Sequence, residues 1–190
     1  ADVMVLSTDT LIYGGLVDSR KHNLPLSTLE NRLKRIEALK ANHKNTRIYG
    51  FGTVMRSPRA SGGGTEPSYY ADYGPTIFQI AALQDKLDAG TLTQAETQKL
   101  MSLQASVPVE YLQDWFSRRQ KNMQVNKDLI DEARNGVFAY FALGHDDTSQ
   151  LSQSALEGRY LNQYSKGIPR TQYGSFPGAD QLGLLLMARS

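Results

Sequence analysis

The chain has no cysteine. That removes disulfides, thiol nucleophiles and thiolate-held zinc from its chemistry. It also lacks any apolar run of the ~20 residues a membrane-spanning helix needs, so no membrane partner is expected. A dominant charge is missing too. Against 21 Lys and Arg stand 19 Asp and Glu, a net charge of +2, and no block of like charge offers nucleic acid a surface. Several motifs are absent as well. There is no dinucleotide fingerprint, no Gly-x-Ser-x-Gly elbow, and no Gly-Lys-Ser/Thr after the run Ser61-Gly62-Gly63-Gly64-Thr65. What remains is 190 residues that are 40% apolar, enough to bury a real core.

The stretch around which the rest is organised is Val137-Phe138-Ala139-Tyr140-Phe141-Ala142-Leu143, followed by Gly144-His145-Asp146-Asp147. An apolar run of strand length with turn formers at both ends reads as a strand buried on both faces of a parallel sheet. Residues 2 to 8 and Arg47 to Met55 read as two further strands, and Arg170 to Phe176 as a fourth. Helices fill the intervals. Ser27-Thr28-Leu29-Glu30 has the form of a capping box, with Leu29, Leu33, Ile36 and Leu39 at helical spacing behind it. Thr93-Gln94-Ala95-Glu96 is a second such box, Pro108 suits the start of a long helix, and Asn135-Gly136 stops that helix. Ser152 or Ser154 starts a helix through Tyr164, and Pro177-Gly178-Ala179-Asp180 opens the last one.

Strand and helix thus alternate, which predicts an α/β protein with a parallel sheet flanked by helices and right-handed crossovers. The sheet is expected to be part of a (β/α) barrel or an open doubly wound sheet. Residues 1–190 are expected to form one α/β domain or a fragment of a larger α/β protein, with 58–67 a flexible loop and 75–135 a mostly helical insertion. A strand at one end of the sequence and an apolar helix at the other make the remainder of a longer chain an expected partner.

In a parallel sheet the carboxyl ends of the strands hold the ligand. This edge would gather Asp9 and Tyr13, then Arg56, then His145, Asp146 and Asp147, and finally Asp180. Two adjacent carboxyls suit two roles: one protonates a leaving oxygen and its neighbour stabilises positive charge, the pair that glycoside hydrolysis requires. Asp146 and Asp147 are therefore the candidate catalytic residues. A divalent metal held by Asp9, Asp146, Asp147 and Asp180 is the other chemistry open to such a set, and a structural role for Asp147-Thr148-Ser149 as a cap is the plain one. No cofactor is required by the first reading. On the long helix Arg119, Asn122 and Asn126 share a face with Arg118 close by, either solvated or a polar wall toward a ligand. His145 reads as a structural histidine beside the site, and His22 and His43 as surface residues.

These segments resemble, in order, those of a bacterial family designated domain of unknown function 4127. The similar stretches are Ser7-Thr8-Asp9-Thr10-Leu11-Ile12-Tyr13-Gly14-Gly15-Leu16-Val17-Asp18-Ser19-Arg20, then Val54-Met55-Arg56, then Arg118-Arg119 with Asn122 and Asn126. His145-Asp146-Asp147-Thr148-Ser149 and Pro177-Gly178-Ala179-Asp180 complete the set. The resemblance implies a bacterial source, a longer protein with segments on both sides, and no established activity. Gln150-Leu151-Ser152 stands where that family has a Pro-Tyr-Gly-like turn. The Asp-Asp pair alone also resembles that of glycosidases acting on 2-acetamido sugars, in which one aspartate is the acid and the other holds the acetamido group. The resulting expectation is a carbohydrate-active hydrolase on a saccharide or other small-molecule ligand. Asp9, Tyr13, Arg56, Arg119, Asn122, His145 and Asp180 would contact the substrate. The alternatives are a non-catalytic domain that binds a sugar, an anion or a partner, and a metal-dependent hydrolase.

Overall fold

A computed structural model describes residues 2–60, 64–147 and 149–189 of the chain. The Ser61–Gly63 part of the expected flexible loop and Thr148 of the aspartate motif lie outside the described residues. In chain order the elements are β1 (Val3–Ser7), α1 (Thr8–Tyr13), α2 (Leu16–Ser19), α3 (Leu26–Asn42), β2 (Arg47–Val54) and α4 (Tyr70–Asp88). They continue with α5 (Gln94–Ala105), α6 (Val109–Arg134), β3 (Tyr140–His145), α7 (Gln153–Tyr164), β4 (Tyr173–Pro177) and α8 (Leu182–Arg189).

The strands form one parallel sheet in the order β1-β2-β3-β4. It is an open α/β sheet, not a closed barrel. Sequential order with each crossover right-handed puts the connecting helices on a single face. That face is the main core. Leu29, Leu33 and Ile36 of α3, Val125, Leu129 and Ile130 of α6, and Leu161 of α7 pack on Ile48, Phe141, Leu143 and Tyr173. The alternation of side chains along a strand sends Tyr49, Tyr140 and Ala142 to the opposite face, where Leu182 and Leu186 of α8 cover them. A third cluster fills the insertion between β2 and β3, with Tyr70, Ile77 and Ile80 of α4 and Leu100 of α5 around Trp115 of α6. No helix among the described residues is long and apolar enough to cross a membrane.

Three local expectations change. The Ser27 capping box does not form: α3 already starts at Leu26, with Pro25 at the cap position and no side-chain cap bond. The ring of Pro25 presets a helix-compatible φ, and Leu24 and Leu26 pack into the core, so burial decides where the helix begins. The apolar run 137–143 is divided, since Phe138 fills the space over Gly50 before the strand proper starts at Tyr140. The polar row of α6 is not solvated: Arg118, Arg119, Asn122 and Asn126 are all buried. The Thr93 box forms as expected, with the Thr93 side chain bonded to the Glu96 N–H and Glu96 answering to the Thr93 N–H.

Candidate functional site

At the end of β1, Ser7 caps α1, accepting from the Thr10 N–H, and so turns the chain across the carboxyl edge of the sheet. Thr8 donates to the Phe51 carbonyl at 2.9 Å, in a space left open by Gly52, where a Cβ would lie 2.5 Å from Thr8 Oγ1. This fixes Asp9 over β2, where its carboxyl accepts from Thr53 Oγ1 at 2.8 Å. Burial pushes the Asp9 carboxyl up to about 6, against the opposing pull of the Thr53 bonds and Arg20. Tyr13 lies behind it, buried, and stacks on His22 with ring centroids 5.1 Å apart. Burial, aided by the Asp9 charge, lifts the Tyr13 phenol well above its ordinary value.

Arg20, at the end of α2, reaches Asp146 Oδ2 at 2.5 Å and Glu66 Oε1 at 3.8 Å, and is 5% exposed. Arg56 holds the same Glu66 oxygen at 2.7 Å and donates to Thr65 Oγ1. Asp9, Arg20, Asp146, Glu66 and Arg56 thus form a mixed-charge cluster over β1 and β2. Beneath it α6 supplies anchors. Arg119 donates to both Glu157 oxygens at 2.8 Å and to the carbonyls of Met55 and Arg56. Asn122 meets His22 Nε2 at 2.7 Å and donates to the Ser19 carbonyl, and Asn126 donates to that of Thr53. Arg119 and Asn122 therefore hold the ends of β2 and α2 in place, their polar atoms bonded within the protein. His22, expected at the surface, is buried because α6 closes over it, and burial lowers its imidazole below the ordinary value.

Over β3 and β4 the edge is open. His145, Asp147, Arg159, Asn162, Ser175 and Phe176 contribute to the lining of a cleft of about 390 Å³. His145 Nε2 lies 2.6 Å from Ser175 Oγ, and burial lowers its imidazole as well. Asp147 Oδ1 accepts from the Ser149 N–H at 2.9 Å, the capping role that its sequence also allowed. Its other oxygen is buried and has no hydrogen-bond partner among the described residues.

The two adjacent aspartates therefore face different surroundings: Asp146 belongs to the charged cluster and Asp147 to the cleft. Asp180 stands exposed on the turn before α8, with no hydrogen bond or ion pair among the described residues, and joins neither. No group of three or more His, Asp or Glu side chains among the described residues is placed to hold a metal ion. Sequence reasoning missed Glu66, which joins Arg56 of its own segment to Arg20 from a distant one, and Ser175, in the weakest strand. Arg20 was visible only as the last residue of the first motif.

No curated protein matches the chain, and no solved structure does. One family does, described as Protein of unknown function (DUF4127), and the match runs over residues 1–190. The ordered motifs, the parallel sheet that brings most of them to one edge and this full-length match agree: the chain belongs to the DUF4127 family.

Proposed function

We propose that the chain binds a saccharide in the cleft beside His145 and hydrolyses its glycosidic bond with Asp146 and Asp147 as the working carboxyls. The observation that supports this reading is the unequal setting of the pair. Asp146 is fixed by Arg20 at 2.5 Å, whereas Asp147 lines the cleft with one buried oxygen that the described residues leave unbonded. A carboxyl with a free, desolvated oxygen suits proton transfer to a leaving oxygen; one held by a guanidinium suits stabilisation of positive charge on the sugar ring. Phe176 would give the sugar an apolar face to lie on, and Asn162 and Arg159 would meet its hydroxyls. Asp9, which holds its proton up to about pH 6, would lighten the like charge beside Asp146 at lower pH. Arg119, Asn122, Tyr13 and Arg56 would keep the frame of the site without touching substrate.

The test is turnover of a panel of 4-nitrophenyl glycosides, 2-acetamido sugars included, by the full chain and by Asp146→Asn and Asp147→Asn. The expected result is loss of turnover in both variants with circular dichroism unchanged; full activity in both would refute the assignment. A non-catalytic saccharide-binding site is the second reading, favoured by the engagement of Asp146 with Arg20. It would show as thermal stabilisation by free sugars without product.

A further inference from the structure

We propose that Ser175 and His145 form a nucleophile–base pair, and that the cleft they line cleaves carboxylic esters of small acyl groups. This goes beyond the glycosidic reading and does not depend on it.

The geometry begins with the sheet. Leu143 and Ser175 are paired across β3 and β4, and side chains two apart on a strand share a face, so His145 and Ser175 lie diagonally on the face that α7 covers. There His145 Nε2 stands 2.6 Å from Ser175 Oγ, within the reach that an activated nucleophile needs. The ring has a built seat. Gly158 lies inside α7, where glycine costs about 1 kcal/mol relative to alanine. A Cβ at that position would come within 2.7 Å of His145 Cε1 and 3.0 Å of Nδ1. The helix thus has a gap where the imidazole lies. From below, the His145 carbonyl accepts the Gly178 N–H at 2.8 Å, which fixes its backbone. Burial keeps the imidazole neutral at pH 7 and able to accept a proton. Asn162 is one helical turn beyond Gly158 on the same face of α7 and also lines the cleft, which brings an amide donor to the wall that a developing oxyanion would face.

The reaction balances without a further reactant except water. Ser175 Oγ attacks the acyl carbon as its proton passes to His145 Nε2. The tetrahedral oxyanion collapses, the ester C–O bond breaks, and the leaving alkoxide takes the proton from Nε2. Water, deprotonated by His145, then attacks acyl-Ser175, releasing the carboxylic acid and restoring the hydroxyl and the neutral ring.

The absence of cysteine makes a clean experiment possible. An alkyl fluorophosphonate is incubated with the full chain and the adduct located by peptide mass. We expect one adduct, on Ser175, lost in Ser175→Ala and formed at least about 100-fold more slowly in His145→Gln, the low end of what a general base contributes. In parallel, Ser175→Cys places a unique thiol beside His145. Iodoacetamide should alkylate it at least about tenfold faster than free cysteine in the same buffer, and the second change His145→Gln should abolish the acceleration. No adduct on Ser175, or equal thiol reactivity with and without His145, overturns the proposal. Neither readout involves glycoside turnover, so failure here leaves the carboxylate assignment to its own test.

Discussion

One edge of one sheet ends in two unlike regions. Over β1 and β2 the side chains of Asp9, Arg20, Glu66 and Arg119 are each no more than 5% exposed and bond to neighbouring side chains or, for Arg119, also to backbone carbonyls. Over β3 and β4, His145, Asp147 and Ser175 are half-buried around an open cleft. The difference comes from what covers each half. The long insertion between β2 and β3 lays α6 under the first region and brings Glu66 over it, while α7 is the helix that lines the cleft of the second. Buried charge demands partners, and the first region supplies most of them internally, with Arg20 Nε left without one among the described residues. The second lines an open cleft with His145, Asp147, Asn162 and Ser175. On the proposed reading the closed half serves as a frame, with Asp146 at its border, and the open half as the place for chemistry.

That division can be broken most forcefully at Arg119. Arg119→Met would strand the buried carboxylate of Glu157 and free the carbonyls of Met55 and Arg56. Removing one partner of such a pair should cost about 3–5 kcal/mol in urea unfolding. A cost below about 1 kcal/mol, the range of exposed pairs, would mean that this half is not held by its buried ions. Asp9 sharpens the same contrast through pH. Its carboxyl is raised from 3.8 to about 6 on folding, so the native state binds the proton more tightly. The stabilisation is complete below the unfolded value and is lost as pH rises through about 6, amounting to roughly 3 kcal/mol. The lowered imidazoles of His22 and His145 act oppositely, removing stability as pH falls below 6.5. The difference between wild type and Asp9→Asn isolates the carboxyl. Wild type should lose stability relative to the variant between pH 4 and 7, and parallel curves would contradict the burial of Asp9. The smallest effect belongs to the open half. Asp147→Asn keeps an oxygen for the Ser149 N–H and exchanges one buried atom without a partner for another, so unfolding free energy should change by no more than about 1 kcal/mol.

Much of the frame was legible in the sequence, and the reasons differ residue by residue. The strand ending at His145 stood out because a sheet buried on both faces demands an unbroken apolar run. The Thr93 box was readable because all its bonds are local. Ser27 shows the limit, since the same local pattern yielded to Pro25 and to the burial of Leu24 and Leu26. The polar row of α6 was ambiguous because a solvated stripe and a stripe laid against strand-end carbonyls have the same composition. His22 was misplaced because its burial depends on Tyr13 and Asn122, the latter 100 residues away. The Arg20–Asp146 bond spans 126 residues, and no spacing rule reaches that far. Ser175 was hidden for another reason: a five-residue edge strand has too little pattern to show which side chains face the neighbouring histidine.

The most direct test of the division is residue-resolved NMR of the full chain titrated with 2-acetamido sugars and, separately, with a slowly hydrolysed acyl ester. Shifts are expected at His145, Asp147, Asn162 and Ser175, with Arg119, Glu157 and Asn122 unmoved. Shifts centred on Arg119 and Asn122, with the cleft silent, would contradict the assignment of frame and site.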